Sequence, residues 1–308
     1  MREERNGQKP LKQAVRCPLC GEGARHKFSL RHTLVWRCAS PACRLEFAWP
    51  QLGEYELAHA YQRFYYPREG EKGASFENTP DMVLRQVFAS LQNSFGSLAG
   101  LRLLDYGCGV GALLRVAREF GMEPTGIEPD AEARRSATKS ARTEVFANTD
   151  ALLRAHGEAE FHFVVLWTVI EHLRRPWEDL ARLRELLTPN GKLFLSTINT
   201  RCLRARVERK NWGQYQNPTH FYFFDRRTLG RVIRKAGFAN ALELPVKLRF
   251  AHHSVPRRWL YHATFALGLA DGLFFLCQGE RSAAQIKAKG DAHRVLLGDL
   301  REDIGSVA

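Results

Sequence analysis

The stretch Leu103-Leu104-Asp105-Tyr106-Gly107-Cys108-Gly109-Val110-Gly111 decides how this chain is read. A short apolar run ends in an acid, a glycine-rich turn follows, and a helical pattern begins at Ala112. A buried parallel strand hands its chain to a helix in this way. Glycines there let the backbone turn tightly and approach a ligand with no Cβ between them. The run from Gly107 to Ala112 also fits the loose dinucleotide pattern G-x-G-x-x-G/A. Alone that match is weak and leaves the nucleotide open.

Outward from the turn, strand and helix patterns alternate. Strands are predicted at 101–106, 124–128, 143–147, 161–167 and 191–197, with helices near 111–120, 130–140 and 176–187. The last helix has Pro176 in its first turn and Gly191 beyond its end. The runs 163–166 and 193–195 are continuously apolar, as in a sheet covered on both faces. The expected architecture is an α/β doubly wound sheet with ligands at the C-terminal strand ends. Glu128 closes the second strand in Thr125-Gly126-Ile127-Glu128-Pro129-Asp130. An acid there accepts both ribose hydroxyls and leaves no phosphate requirement.

Several ordered blocks now agree. LLDYGCGVG (103–111) resembles the first motif of the class I S-adenosylmethionine-dependent methyltransferases, and GIEPD (126–130) resembles the second. The block 161–199 resembles the family's next strand-helix-strand unit, and HFYFFDRRTLGRVIRKAGF (220–238) the helix that follows. The resemblance runs from about Leu101 to Phe238 and implies a Rossmann-like sheet that binds S-adenosylmethionine. It places Gly107 and Gly109 against the methionine part of the cofactor, Asp105 toward its amino group and Glu128 on its ribose. Trp167 and Thr168 would flank the reacting end. For adenine it offers Asn148 or Asp150, of which Asp150 is assigned, although FANTDALL departs from the commoner Gly-Asp form. A helix N-cap is the competing role for Asp150.

Methyl transfer from a sulfonium is an in-line displacement in which the protein chiefly orients the reactants and excludes water. An oxygen acceptor also needs a base near neutral pKa, which suits histidine. His172 and His220 are the candidates. A helix-start residue bonded to a carbonyl is the plainer role for His172, and Glu171 is expected to be structural. A carbon or nitrogen acceptor would need neither histidine.

Cys17-x2-Cys20 and Cys38-x4-Cys43 are separated by 17 residues. Two knuckles on a β-rich arm would place four thiolates around a structural Zn²⁺ with no open position. The expected organisation is a flexible basic tail over 1–16, a zinc-ribbon-like segment over 17–50 and a helical linker or lid over 51–97. A methyltransferase domain over 98–308 follows, with insertions at 198–224 and 251–280. Tyr55, Tyr61, Phe64, Tyr65 and Tyr66 are expected to pack between ribbon and catalytic domain, with a lid role as the alternative.

The chain has 308 residues, 44% hydrophobic and 26% charged, with a formal net charge of +13. That balance favours acidic partners without choosing among them. Arg201, Arg204, Arg206, Arg209 and Lys210, followed by Trp212, Tyr215 and Phe221 to Phe224, suit a phosphate-bearing substrate, an RNA strip or a plain solvated face. Trp259 to Gln278 is apolar but holds His262 and Asp271. It reads as a helical lid before an interfacial membrane contact, and least of all as a spanning helix. Strands are also expected at 241–249 and 281–289, and a helix near 226–236.

Seven cysteines without a signal-type apolar segment point to a cytoplasmic protein, with peripheral membrane contact left open. The expected activity is methyl transfer to a small metabolite that is anionic or linked to lipid or sugar. RNA methylation and a non-catalytic binding module are the alternatives, with a nicotinamide oxidoreductase far behind. Oligomeric state is not read from the sequence.

Overall fold

The computed structural model describes residues 14–65, 81–157, 160–244 and 269–278. The apolar runs become strands β1 (Ala24–Ser29), β2 (Leu34–Cys38), β3 (Glu46–Trp49), β4 (Arg102–Tyr106), β5 (Glu123–Ile127), β6 (Val145–Phe146), β7 (Phe161–Trp167), β8 (Leu187–Ile198), β9 (Tyr222–Phe223), β10 (Asn240–Glu243) and β11 (Gly272–Gln278). The helices are α1 (Glu54–Phe64), α2 (Asp81–Phe95), α3 (Ala112–Glu119), α4 (Ala131–Ala141), α5 (Thr149–His156), α6 (Pro176–Glu185), α7 (Leu203–Glu208), α8 (Gly213–Gln216) and α9 (Arg226–Lys235).

The main sheet has the order β10-β11-β8-β7-β4-β5-β6. Strands β8, β7, β4, β5 and β6 are parallel, while β11 pairs antiparallel with both β8 and β10. Neighbouring residues on a strand enter opposite cores. Leu104, Val164, Leu195 and Phe275 join the cluster under α6 and α9, whereas Leu103, Val165, Phe194 and Phe274 join the cluster under α2 and α3. Both faces are therefore covered, which explains why these strands read as unbroken apolar runs. The chain leaves β4 toward β5 on one side and later crosses to β7 on the other. That reversal opens a crevice at the C-terminal strand ends.

The end of the apolar tract 255–278 corrects the lid expectation. Gly272–Gln278 is the strand β11, wedged between β8 and β10 with Leu273, Phe274, Phe275 and Cys277 buried. A short continuous apolar run has no period that separates a buried strand from a buried helix, and the pairing edge of β8 decided the matter. Among the described residues no helix is long and apolar enough to cross a membrane. Most of the predicted tail, Tyr66, the remainder of the 241–249 strand, Trp259 and the 281–289 strand lie outside the described residues.

The cysteine arm forms a second sheet, β1-β2-β3-β9, whose last strand comes from the 198–224 segment. Glu46 pairs with Phe223 and Phe47 with Tyr222, and the Ala48 N–H donates to the Phe221 carbonyl at 2.8 Å. Trp36, Leu45 and Phe47 share one buried cluster with Leu229 and Val232 of α9. Lys235 Nζ adds a bond to the Leu19 carbonyl at 2.6 Å, and the Arg231 guanidinium one to the Ala42 carbonyl. The arm thus shares the core that lies under α6 and α9 of the main sheet.

Candidate active site and cysteine cluster

The strand ends surround a cavity of 790 Å³. One end is the glycine turn. Gly107 and Gly109 have φ of +81° and +53°, and Gly111, at +85°, caps α3. An added Cβ at Gly107 would lie 2.7 Å from Val169 Cγ2, so residue 107 has no room for a side chain. The Gly107 and Cys108 N–H groups donate to the Ile127 carbonyl, locking the turn onto β5.

Asp105 and Glu128 face each other across this turn and are 2% and 7% exposed. Burial, and then repulsion by Glu128, push the Asp105 carboxyl up to about 8. Burial also raises Glu128, partly offset by the Asp130 and Gly109 N–H groups, each of which donates to it at 2.9 Å. Two acids held in a partly apolar cavity favour a ligand carrying positive charge. S-adenosylmethionine, with a sulfonium and an ammonium, meets that demand. Asp105, Glu128 and the side-chain-free turn are the residues that would hold it.

Trp167 and Thr168 follow β7 onto the cavity wall as expected. Thr168 has φ +53°, and its N–H bonds to the Ser196 carbonyl at 3.1 Å. Asp150 does not reach the cavity. It is exposed in the first turn of α5, while Asn148 caps that helix by accepting from the Ala151 N–H at 2.8 Å and lines the cavity. The two roles weighed for Asp150, cap and cavity residue, both fall to Asn148.

At the other end stand Glu171, His172 and His220. Asn217 sets their protons. Its Oδ1 accepts from the Thr219 N–H and Oγ1, so its Nδ2 donates, to Tyr65 Oη at 2.8 Å and to His220 Nε2 at 3.0 Å. His220 Nδ1 then donates to the Gln214 carbonyl at 2.9 Å, which engages both of its nitrogens. His172 Nδ1 donates to the Thr219 carbonyl at 3.1 Å, so its Nε2 accepts from Tyr65 Oη, at a long 3.5 Å. Burial lowers the His172 pKa to about 4, and burial and then His172 hold His220 well below the usual histidine range, so both rings are neutral near pH 7. Glu171 is raised to about 7 by burial and accepts from Thr197 Oγ1 at 2.9 Å.

The ligand atoms of these three residues lie within 4.8 Å of one another. Their existing bonds, however, suit an ordered proton-holding group better than a metal shell. The plainer role considered for His172, a bond to a nearby carbonyl, is present, and that bond fixes the orientation of the ring.

The sequence reading underrated α1. Tyr61 and Tyr65 line the cavity and pack on His172, with ring centroids 5.9 and 5.7 Å away, whereas Tyr55 is 79% exposed. Arg174 was missed altogether. It lines the cavity and anchors the start of α1 through the Leu52 carbonyl at 2.7 Å and Glu54 at 3.2 Å. Nothing local in either segment announces these contacts.

The four cysteine sulfurs also lie within 4.8 Å of one another, with Cys17–Cys43 at 3.7 Å and Cys20–Cys38 at 3.5 Å. A tetrahedral Zn²⁺ with ~2.3 Å bonds to sulfur requires separations of about 3.8 Å. Backbone N–H groups of Leu19 and Cys20 point at the Cys17 sulfur and that of Leu45 at Cys43, as thiolate ligands need. The donor set is compatible with zinc and leaves no open position.

Comparison with known proteins agrees with this geometry. A family described as a methyltransferase domain matches residues 52–243. Ubiquinone biosynthesis O-methyltransferase of Cereibacter sphaeroides is 32% identical over 170 residues, covering 51% of this chain and 69% of that protein. The protein of the same name from Aromatoleum aromaticum is 31% identical over 160 residues, covering 47% and 66%. The plantazolicin methyltransferase BpumL, solved in complex with SAH, shares the fold at a TM-score of 0.50 and 14% identity, over 74% of this chain and 96% of that one.

Proposed function

Since the chain belongs to the methyltransferase-domain family and is a class I S-adenosylmethionine-dependent methyltransferase, we propose that it methylates a hydroxyl oxygen of a small metabolite that is anionic or carried on lipid or sugar. The observation that carries this reading is His172: neutral, oriented by Thr219, and lining the cavity with Nε2 held only by a long 3.5 Å bond from Tyr65 Oη, which an acceptor hydroxyl would replace. The relatives named O-methyltransferases favour the same acceptor atom.

S-adenosylmethionine supplies the activated methyl group when bound. Asp105 and Glu128 hold its charged and ribose ends, and Trp167 and Thr168 border the reacting end. His172 takes the acceptor's proton, worth about 10²–10⁴ in rate for a placed base. His220, with both nitrogens engaged, is a positioning residue that packs on His172 at 4.6 Å. Tyr61 and Tyr65 cover the site against water, and Arg174 offers a cation at the rim. Cys17, Cys20, Cys38 and Cys43 hold a structural Zn²⁺ that braces β9, and through it the Phe221 N–H bond to the Glu171 carbonyl at 2.9 Å.

The test incubates the protein with methyl-labelled cofactor and separated small-metabolite, lipid and RNA fractions. Label in the small-metabolite or lipid fraction as an alkali-stable ether is expected, with turnover falling at least a hundredfold in His172→Ala while cofactor affinity holds. Label confined to RNA, or full turnover in His172→Ala, refutes the proposal.

A further inference from the structure

A second cavity, of 480 Å³, lies where the cysteine arm meets the 198–224 segment. It shares no lining residue with the reaction cavity. The short helix α8 divides them, with Tyr215 facing the second cavity and its neighbour Gln214 facing the first. Six cations line the second cavity, namely Lys27, Arg37, Arg44, Arg201, Arg206 and Arg209, against the two acids Glu46 and Asp225.

Both acids are already engaged. Glu46 accepts from Lys27 Nζ at 2.7 Å and from Tyr215 Oη at 2.6 Å, and its other oxygen lies 3.8 Å from Arg37 Nε. Asp225 caps α9 by accepting from the Thr228 N–H at 2.8 Å. Among the described residues, no carboxylate lies within salt-bridge distance of Arg44, Arg201, Arg206 or Arg209.

Four guanidinium groups gathered around one concavity repel one another unless an anion enters. Their planar forks match phosphate oxygens two at a time. The arginines come from two parts of the chain, Arg44 beside the Cys43 knuckle and the others from the α7 region, so the folded junction alone brings them together. We infer that this junction is a binding site for the phosphate or diphosphate group of a small molecule, separate from the methyl-transfer cavity. An open concavity of this size suits a small ester. The ring of Phe28 at the cavity wall, 4.9 Å from Tyr215, adds an apolar surface for the group that the phosphate carries.

Arg204 supplies the control. It sits on the same helix α7 but outside the cavity lining, paired with Glu208 at 3.1 Å. Calorimetry with inorganic pyrophosphate, and in parallel uridine diphosphate, is run on the full chain at physiological salt. Binding is expected for the parent and for Arg204→Ala, and an affinity loss of about tenfold or more for Arg206→Ala and Arg209→Ala. S-adenosylmethionine affinity, measured on the same samples, stays at the parent value in every variant. That separates failure here from failure of the methyl-transfer reading. The inference is overturned by absence of pyrophosphate binding at millimolar concentration, or by an equal loss in Arg204→Ala. It is also overturned if an oligouridylate binds more tightly than either probe and loses affinity in the same variants, which would make the junction an RNA contact.

Discussion

Replacing Asp105 by Asn should stabilise the ligand-free protein at alkaline pH and weaken its cofactor binding. The carboxyl is 2% exposed, and burial and then Glu128 raise it from an ordinary 3.8 to about 8. A pKa raised on folding means that the folded state keeps a proton which the unfolded state has lost. Stability therefore falls as pH climbs from the unfolded value through the folded one. The full difference, at about 1.4 kcal/mol per pH unit, sets a ceiling of about 6 kcal/mol. Between pH 6 and pH 9 the part still to be lost is about 3 kcal/mol. Asparagine keeps the shape and never ionises. The stability gap between variant and parent should accordingly widen by about 3 kcal/mol over that interval, a shift of several degrees in Tm. Denaturant titrations at pH 6 and pH 9, with and without S-adenosylmethionine, measure it. In the parent the cofactor should recover most of the alkaline loss, and in Asp105→Asn it should add little. Parallel pH profiles for the two proteins together with equal cofactor affinity would refute the reasoning.

Three other outcomes are expected. Gly107→Ala should cost about 1–3 kcal/mol, because φ is +81° and the new Cβ meets Val169, and should abolish cofactor binding; adding Val169→Ala should restore part of the stability. Cys17→Ser should lower the zinc content found by metal analysis and reduce the Tm of the whole fold rather than of a separate arm, since the cysteine arm and α9 share one core; an unchanged zinc content would count against the site. For His172, a base must be neutral to act, and burial holds its pKa at about 4. The kcat/KM profile should therefore stay level down to near pH 5 and fall only toward pH 4, whereas a fall centred near pH 6.5 would mean that another group takes the proton.

The fold and the methyl-donor end of the site were legible in the chain because both rest on local chemistry. The 103–111 turn requires glycine backbone at fixed places beside an acid. Glu128 follows at the next strand end, and the parallel strands announce their double burial as unbroken apolar runs. The cysteine spacing was equally local. The acceptor end was legible only as separate candidates, His172, His220, Tyr61 and Tyr65, and not as an arrangement, because its parts come from distant segments with no common pattern. Tyr61 and Tyr65 come from α1, His172 from the turn after β7, and Asn217, Thr219 and His220 from the 198–224 segment. Only their meeting sets which nitrogen of each histidine carries a proton. Gly272–Gln278 shows the same limit, since an apolar run becomes a strand rather than a helix when a strand edge is waiting for it. The sequence by itself determined the strand-turn-helix unit and the methyl donor, because those depend on residues a few positions apart. The tertiary structure decided the hydrogen-bonded setting of His172, the tyrosines that line its cavity, the fusion of the cysteine arm with the main core and the arginine-lined junction, because each depends on which distant surfaces the packed sheet brings into contact.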